Sequence, residues 1–247
     1  MDFIIDFFRN LNGWLNSLST DDFEPYKMPA AIAILVVAAI VAIALRIWEK
    51  RRQEAFAKKA AKLGLHFNAE RDYDLPERLH FLSRFDKGEN RYAFNIMQGV
   101  YRGHPVRAFD YHYSITAMDG RGRERTTHYY FSVFVLHQPV EFPELEISPQ
   151  KLRHRIGQAL GMESINFESV VFNNAFVVTS VNRRFAYDVC HPRMMAFLLQ
   201  HQEISLEIEG HCIAICYNNR QKVAEVQPHL DVLVGIRELM PPHLYAE

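Results

Sequence analysis

The chain has 247 residues, 49% of them apolar, and sets 28 Lys and Arg against 29 Asp and Glu. That is enough apolar material for a domain with a real core, and the even charge balance leaves no electrostatic footprint for a nucleic-acid partner. Three cysteines exclude a small disulfide-built scaffold.

At the N-terminus, Phe3, Ile4, Phe7, Phe8, Leu11, Trp14, Leu15 and Leu18 recur at helical spacing. Asp2, Asp6, Arg9, Asn10, Asn12 and Asn16 fill the other side, so an amphipathic helix is expected, with a linker from Ser19 to Lys27. Its polar face lacks the usual Lys and Arg. Attraction to lipid would be mainly apolar, and packing against another membrane protein fits the pattern equally.

An uncharged apolar run from Met28 to Leu45 follows. As a helix rising about 1.5 Å per residue it spans roughly 27 Å, close to the hydrocarbon thickness of a bilayer. Tyr26 and Trp48 sit where interfacial aromatic belts belong. A cleaved signal peptide would carry its positive charge before the run, whereas here the charge follows it and 27 residues precede it. The reading is one uncleaved transmembrane helix over 28–48. Ala38 and Ala42 form a small-xxx-small pair that permits close approach of a second helix, so a homo-oligomer is compatible with it.

Charge sets the expected direction. Residues 1–27 carry a net −3, and Arg46 to Lys62 carry +5 from seven cations. Positive flanks stay inside, which places the N-terminus outside and the remainder in the cytoplasm at an inner membrane. The stretch 49–64 lacks Pro before the stop at Gly64 and is expected to continue the helix as a basic juxtamembrane collar. Those charges are read as a topology signal, with a grip on anionic lipid as the alternative.

Residues 65–247 carry a net −3 from Leu63 onward and read as one cytoplasmic α+β domain. Asp74 is expected to cap a short helix from Leu75 to Phe85. Strands are expected over Tyr92–Tyr101, Val106–Thr116 and Arg125–His137, the last two joined at Asp119-Gly120. Ser148-Pro149 predicts a helix through Leu152, Ile156 and Leu160 to Gly161. Ile165–Phe172 and Ala175–Val181 flank Asn173-Asn174 as a predicted hairpin. Pro192 opens an apolar helix, Ile204–Ile208 alternate as a half-buried strand, Glu209-Gly210 join it to Cys212–Tyr217, and a last helix runs from Gln227-Pro228 to Pro241-Pro242. Adjacent strands mixed with a few helices favour a mostly antiparallel sheet.

The strings "LGL" at 63–65, "AFDYHY" at 108–113 and "INFESVVFNNAFVVTS" at 165–180 resemble a family of bacterial single-span membrane proteins of unknown function. So do the helix after Pro192 and the strand ending in "EIEG". The likeness covers most of Leu63–Glu247. It implies bacterial origin, an inner-membrane location and an α+β cytoplasmic domain, and carries over no functional residue.

For chemistry, Asp110 and His112 lie two apart on a strand and share a face, with His128 or Tyr129 facing them across the hairpin. Such a set can serve as a general base or part of a metal site; the plainer reading is a hydrogen-bonded sheet face. Cys212 and Cys216, beside His211, lack the second pair of a zinc site, as does Cys190-His191, and read as buried thiols. Gly120-Arg121-Gly122 is a turn without the strand, lysine and helix of a phosphate loop. Lys151, Arg153, His154 and Arg155 read as a solvated helix face.

No residue is assigned a catalytic, cofactor or metal role. The expected function is a non-catalytic, membrane-anchored interaction or scaffold protein whose cytoplasmic domain docks another protein. The alternative is a tethered sensor or carrier of a lipid or small apolar ligand. The expected partners are the bilayer and a membrane or cytoplasmic protein.

Overall fold

A computed structural model describes residues 27–80, 82, 85, 87–120, 122–152 and 164–246. The amphipathic helix expected over Phe3–Leu18 lies outside them. Two compact units divide at Glu54/Ala55. The described part of the first is the start of helix α1 (Lys27–Lys62), which is long and apolar enough to cross a bilayer. Val37, Ile40 and Ile43 on it are more than half exposed, as a lipid-facing surface requires.

The second unit is the α+β domain expected from the sequence, built on one six-stranded, wholly antiparallel sheet. Its elements in chain order begin with β1 (His66–Asn68), α2 (Asp74–Arg78), β2 (Glu89–Tyr101) and β3 (His104–Met118). They continue with β4 (Glu124–Pro149), α3 (Val170–Ala175), β5 (Phe176–Ser180), α4 (Arg183–Val189), α5 (Pro192–Leu199), β6 (Ser205–Tyr217) and α6 (Val226–Leu239).

β4 is the spine. Its first half pairs with β3 through thirteen consecutive partners from Val106↔Leu136 to Met118↔Glu124. Its other edge takes β6, and its end takes β5. Alternate side chains feed two cores. Phe134 and Leu136, with Ile213 and Ile215 of β6, face a main core closed by α3 to α6, while Phe131, Val133 and Val135 face a second core with Cys212, Ala214 and Cys216. A strand buried on both faces reads as continuously apolar, as the sequence from Cys212 to Tyr217 does.

The second core is closed by Leu75, Leu79, Leu82 and Phe85. Phe85 meets the Tyr111 ring edge-on at 4.7 Å, and its carbonyl accepts from the Tyr111 hydroxyl and from Arg91. The main core includes residues of α1: Phe56 and Ala60 are fully buried in it, Phe56 stacks on Phe67, and Lys59 Nζ donates to Gln227 at 2.8 Å.

Four expectations are corrected. Asp74 is the first residue of α2 and not its cap: Tyr73 stands at the N-cap, Asp72 Oδ1 accepts from the backbone N–H groups of Asp74 and Leu75, and the helix ends at Arg78. The stretch expected as a strand over Ile165–Phe172 instead leads into α3. Ser169 caps it by accepting from Phe172, and the Asn173 amide pins both backbone groups of Phe167, so local side-chain bonds override β propensity. Glu209-Gly210 is no joint between strands but a bulge within β6, with Gly210 at φ +54° opposite Phe142. The register shifts there turn both strands over, so that Leu145, Ile147, Leu206 and Ile208 face the main core. Last, Ser148 and Pro149 do not start a helix: they pair with Val177 and Phe176 at the end of β4. The remainder of that expected helix, 153–161, lies outside the described residues. Helix α4, capped by Asn182, was not foreseen.

Because Phe56 fills the main core, Phe56→Ala is expected to lower the stability of the sheet domain by about 3–5 kcal/mol. Thermal unfolding of the full chain in detergent, followed by near-ultraviolet circular dichroism, measures it; an unchanged transition would separate Phe56 from the core.

Candidate functional site

β3 presents Asp110 and His112 on the main-core face, as the period of a strand requires. Asp110 has no exposure to solvent. Its Oδ1 accepts from Ser132 Oγ at 2.8 Å and the Gln221 N–H at 3.4 Å; its Oδ2 accepts from Asn95 Nδ2 at 3.0 Å and faces the Arg220 guanidinium at 3.7 Å. Arg220 also lies over the rings of Phe94 and Tyr130, where its charge meets the negative faces of the π systems. Ser132 Oγ further joins the Asn219 carbonyl and the Gln221 N–H. A buried carboxylate is tolerable when it is paired and saturated with donors, and here those donors come from β2, β4 and the loop after β6.

His112 is equally buried, its ring 4.5 Å from Tyr92, 4.8 Å from Tyr130 and 5.2 Å from His128. Its Nδ1 lies 3.0 Å from the Asn90 carbonyl, which only accepts, so Nδ1 carries the proton. Nε2 lies 3.0 Å from His128 Nδ1, so both ring nitrogens are engaged by protein atoms.

The structure thus brings Asp110, His112 and His128 onto one face and puts Tyr129 on the other, stacked on Tyr113 at 4.8 Å. Among the described residues no three His, Cys, Asp or Glu side chains converge as a metal site. All three cysteines are free and buried. Burial pushes the Cys190 thiol up to about 12 and the Cys212 thiol up to about 11, so neither forms a thiolate near neutrality.

What the Asp110 cluster does is hold a loop. Asn218–Lys222 is tied down through Ser132 and Asp110, and that loop walls a cleft of about 630 Å³. Tyr217 at the end of β6, Glu225 and His229 near the start of α6, the turn Gln202-Glu203, and Pro149, Lys151 and Leu152 line it with the loop. Lys151 of the basic run therefore belongs to this cleft, while Arg153, His154 and Arg155 fall outside the described residues.

The floor is a ring stack, Tyr217 on His229 at 3.6 Å and 18°, with Phe134 edge-on to His229. Burial lowers the His229 pKa despite Glu225 and Glu203, with His201 adding to the fall. Burial, followed by the same two carboxylates, raises that of Tyr217. Neither the Tyr217 hydroxyl nor His229 Nδ1 has a hydrogen-bond partner among the described residues. The sequence carried one signal for this cleft, the unbroken polar run Asn218-Asn219-Arg220-Gln221-Lys222 between an apolar strand and a helix.

No protein-family model matches this chain, and no curated protein matches it. Among solved structures, it is similar to the crystal structure of the mycobacterial trehalose monomycolate transport factor A, TtfA. The match has a TM-score of 0.55 at 15% identity and covers 76% of this chain and 96% of that one. The two share a fold.

Two outcomes follow from the site's physics. Asp110→Ala leaves Arg220, Asn95 and Ser132 facing a void and is expected to cost about 3 kcal/mol in denaturant unfolding, since breaking a buried pair strands its partner. His229 has a folded pKa below its ordinary 6.5, so below pH 6.5 the unfolded chain binds more protons. Stability contributed by the neutral ring is complete above pH 6.5 and is lost as pH falls toward the folded value. His229→Gln is expected to flatten the fall in unfolding midpoint between pH 7 and 5.5, the residual slope reporting His137, which burial also lowers.

Proposed function

We propose that this chain is a membrane-anchored, non-catalytic accessory protein whose sheet domain docks a partner engaged in transport at the membrane. The observation that carries this is the combination of one apolar helix able to span a bilayer with a domain sharing the fold of a protein described as a transport factor. The commitment of Asp110 and His112 to internal hydrogen bonds supports the absence of chemistry at the strongest polar cluster. The charge asymmetry, −3 before the span and +5 after it, supports an inner-membrane orientation with the N-terminus outside and the domain in the cytoplasm.

The alternative of a tethered carrier or sensor draws on the same neighbour. Its weakness for an apolar ligand is the lining of the cleft, which is charged and amide-rich, while the aromatic side chains fill the two cores.

Purification of the full chain from native membrane in mild detergent is expected to retain a membrane or cytoplasmic protein in fixed stoichiometry, read by mass spectrometry, with a C-terminal reporter active only in the cytoplasm. A ligand-free monomer, or a reporter active only outside, would overturn the reading. A retained apolar lipid without a protein would favour the carrier.

A further inference from the structure

We infer that the cleft between the Asn218–Lys222 loop and the start of α6 binds a neutral polyhydroxylated compound, either a free sugar or the sugar headgroup of a lipid. Three independent features of the lining point to that chemistry.

The first is charge. Lys222 is paired to Glu225 at 2.9 Å and Arg220 faces Asp110, which leaves Lys151 and Glu203 as one further charge of each sign. An anion entering the cleft meets the Glu203 and Glu225 carboxylates, and a cation meets Lys151, Arg220 and Lys222. A neutral ligand meets no repelling group in this lining.

The second is hydrogen-bond capacity. Gln202, Asn218 and Asn219 bring amide side chains to the cleft. An amide both donates and accepts, which complements a hydroxyl that does the same. Tyr217, only 8% exposed, adds a hydroxyl that the protein leaves unpartnered, and His229 adds an unpartnered ring nitrogen. A buried polar atom left without a partner is a standing cost to the fold and is most often retained for a use.

The third is shape. The Tyr217–His229 stack offers an aromatic wall against which the C–H face of a sugar ring packs, and a volume of about 630 Å³ is within the range of small-molecule sites. The Asp110–Ser132 tie holds the loop in place without the ligand, so little ordering is needed on binding.

This goes beyond the docking role and is tested separately: failure to capture a partner leaves it standing, and failure to bind sugar leaves the docking role standing. The experiment uses the full chain in a polyoxyethylene detergent, which has no sugar headgroup. Isothermal titration or saturation-transfer NMR is run with maltose and trehalose, with dodecyl maltoside as the lipid-linked form, and with inorganic phosphate and choline as charged controls.

Saturable binding of the free disaccharides assigns a free sugar, and binding of the maltoside alone assigns a lipid headgroup. Tyr217→Phe removes only the unpartnered hydroxyl, so its melting temperature should not fall while its affinity drops about tenfold. Asn219→Ala should weaken binding in the same direction. The proposal is overturned if no neutral sugar binds, if phosphate or choline binds in its place, or if both variants fold and bind as the parent does.

Discussion

Everything in the sheet domain depends on β4 having both of its faces buried at once. A strand in that position cannot alternate polar with apolar residues, and its neighbours must bring a core to each side. Helices α3 to α6, with Phe56 and Ala60 of α1, close one side, and the short segment around Leu75 to Phe85 closes the other. The bulge that turns β4 over between His137 and Leu145 lets one strand serve β3 at its start and β5 at its end without losing the main core.

Beyond the reach of the helices on the main-core face, the sheet has polar residues where apolar ones would be left unpacked. Asp110, Asn95, Ser132 and His112 are as buried as the core and are made tolerable by bonding to one another and to backbone. The consequence is reach. A carboxylate on β3 fixes a loop that follows β6, more than a hundred residues later in the chain, and that loop shapes the cleft. The residues that look most like chemistry therefore act as positioning residues, and the surface open to a ligand lies one layer further out.

The chain joins one helix long and apolar enough to cross a bilayer to an antiparallel sheet domain. The fold shared with a transport factor comes at an identity too low to carry residues across, so the case for a ligand rests on this chain's own cleft, its balanced charges, its amides and its unpartnered hydroxyl.

Element types were legible in the sequence wherever a local pattern was strong enough to act alone: eighteen uncharged residues from Met28 to Leu45, the alternation through Ile204–Ile208, and proline at the start of α5 and near both ends of α6. The sharing of a face by Asp110 and His112 followed from the period of a strand. Where competing local bonds decided, sequence pattern misled, as at Ser169 and Asn173, whose side chains turned an expected strand into α3. Register and the loop tie were beyond reach. Whether His128 or Tyr129 joins His112 depends on a one-residue slip, and the bonding of Ser132 to Gln221 depends on how distant strands pair, which no local window contains. The amino-acid sequence by itself determined the long apolar helix, the charge asymmetry around it and the α+β class, because these are sums over neighbouring residues. Only the tertiary structure decided that Asp110 is a strut and that a cleft lies beside Tyr217, because both are products of contacts between segments far apart in the chain.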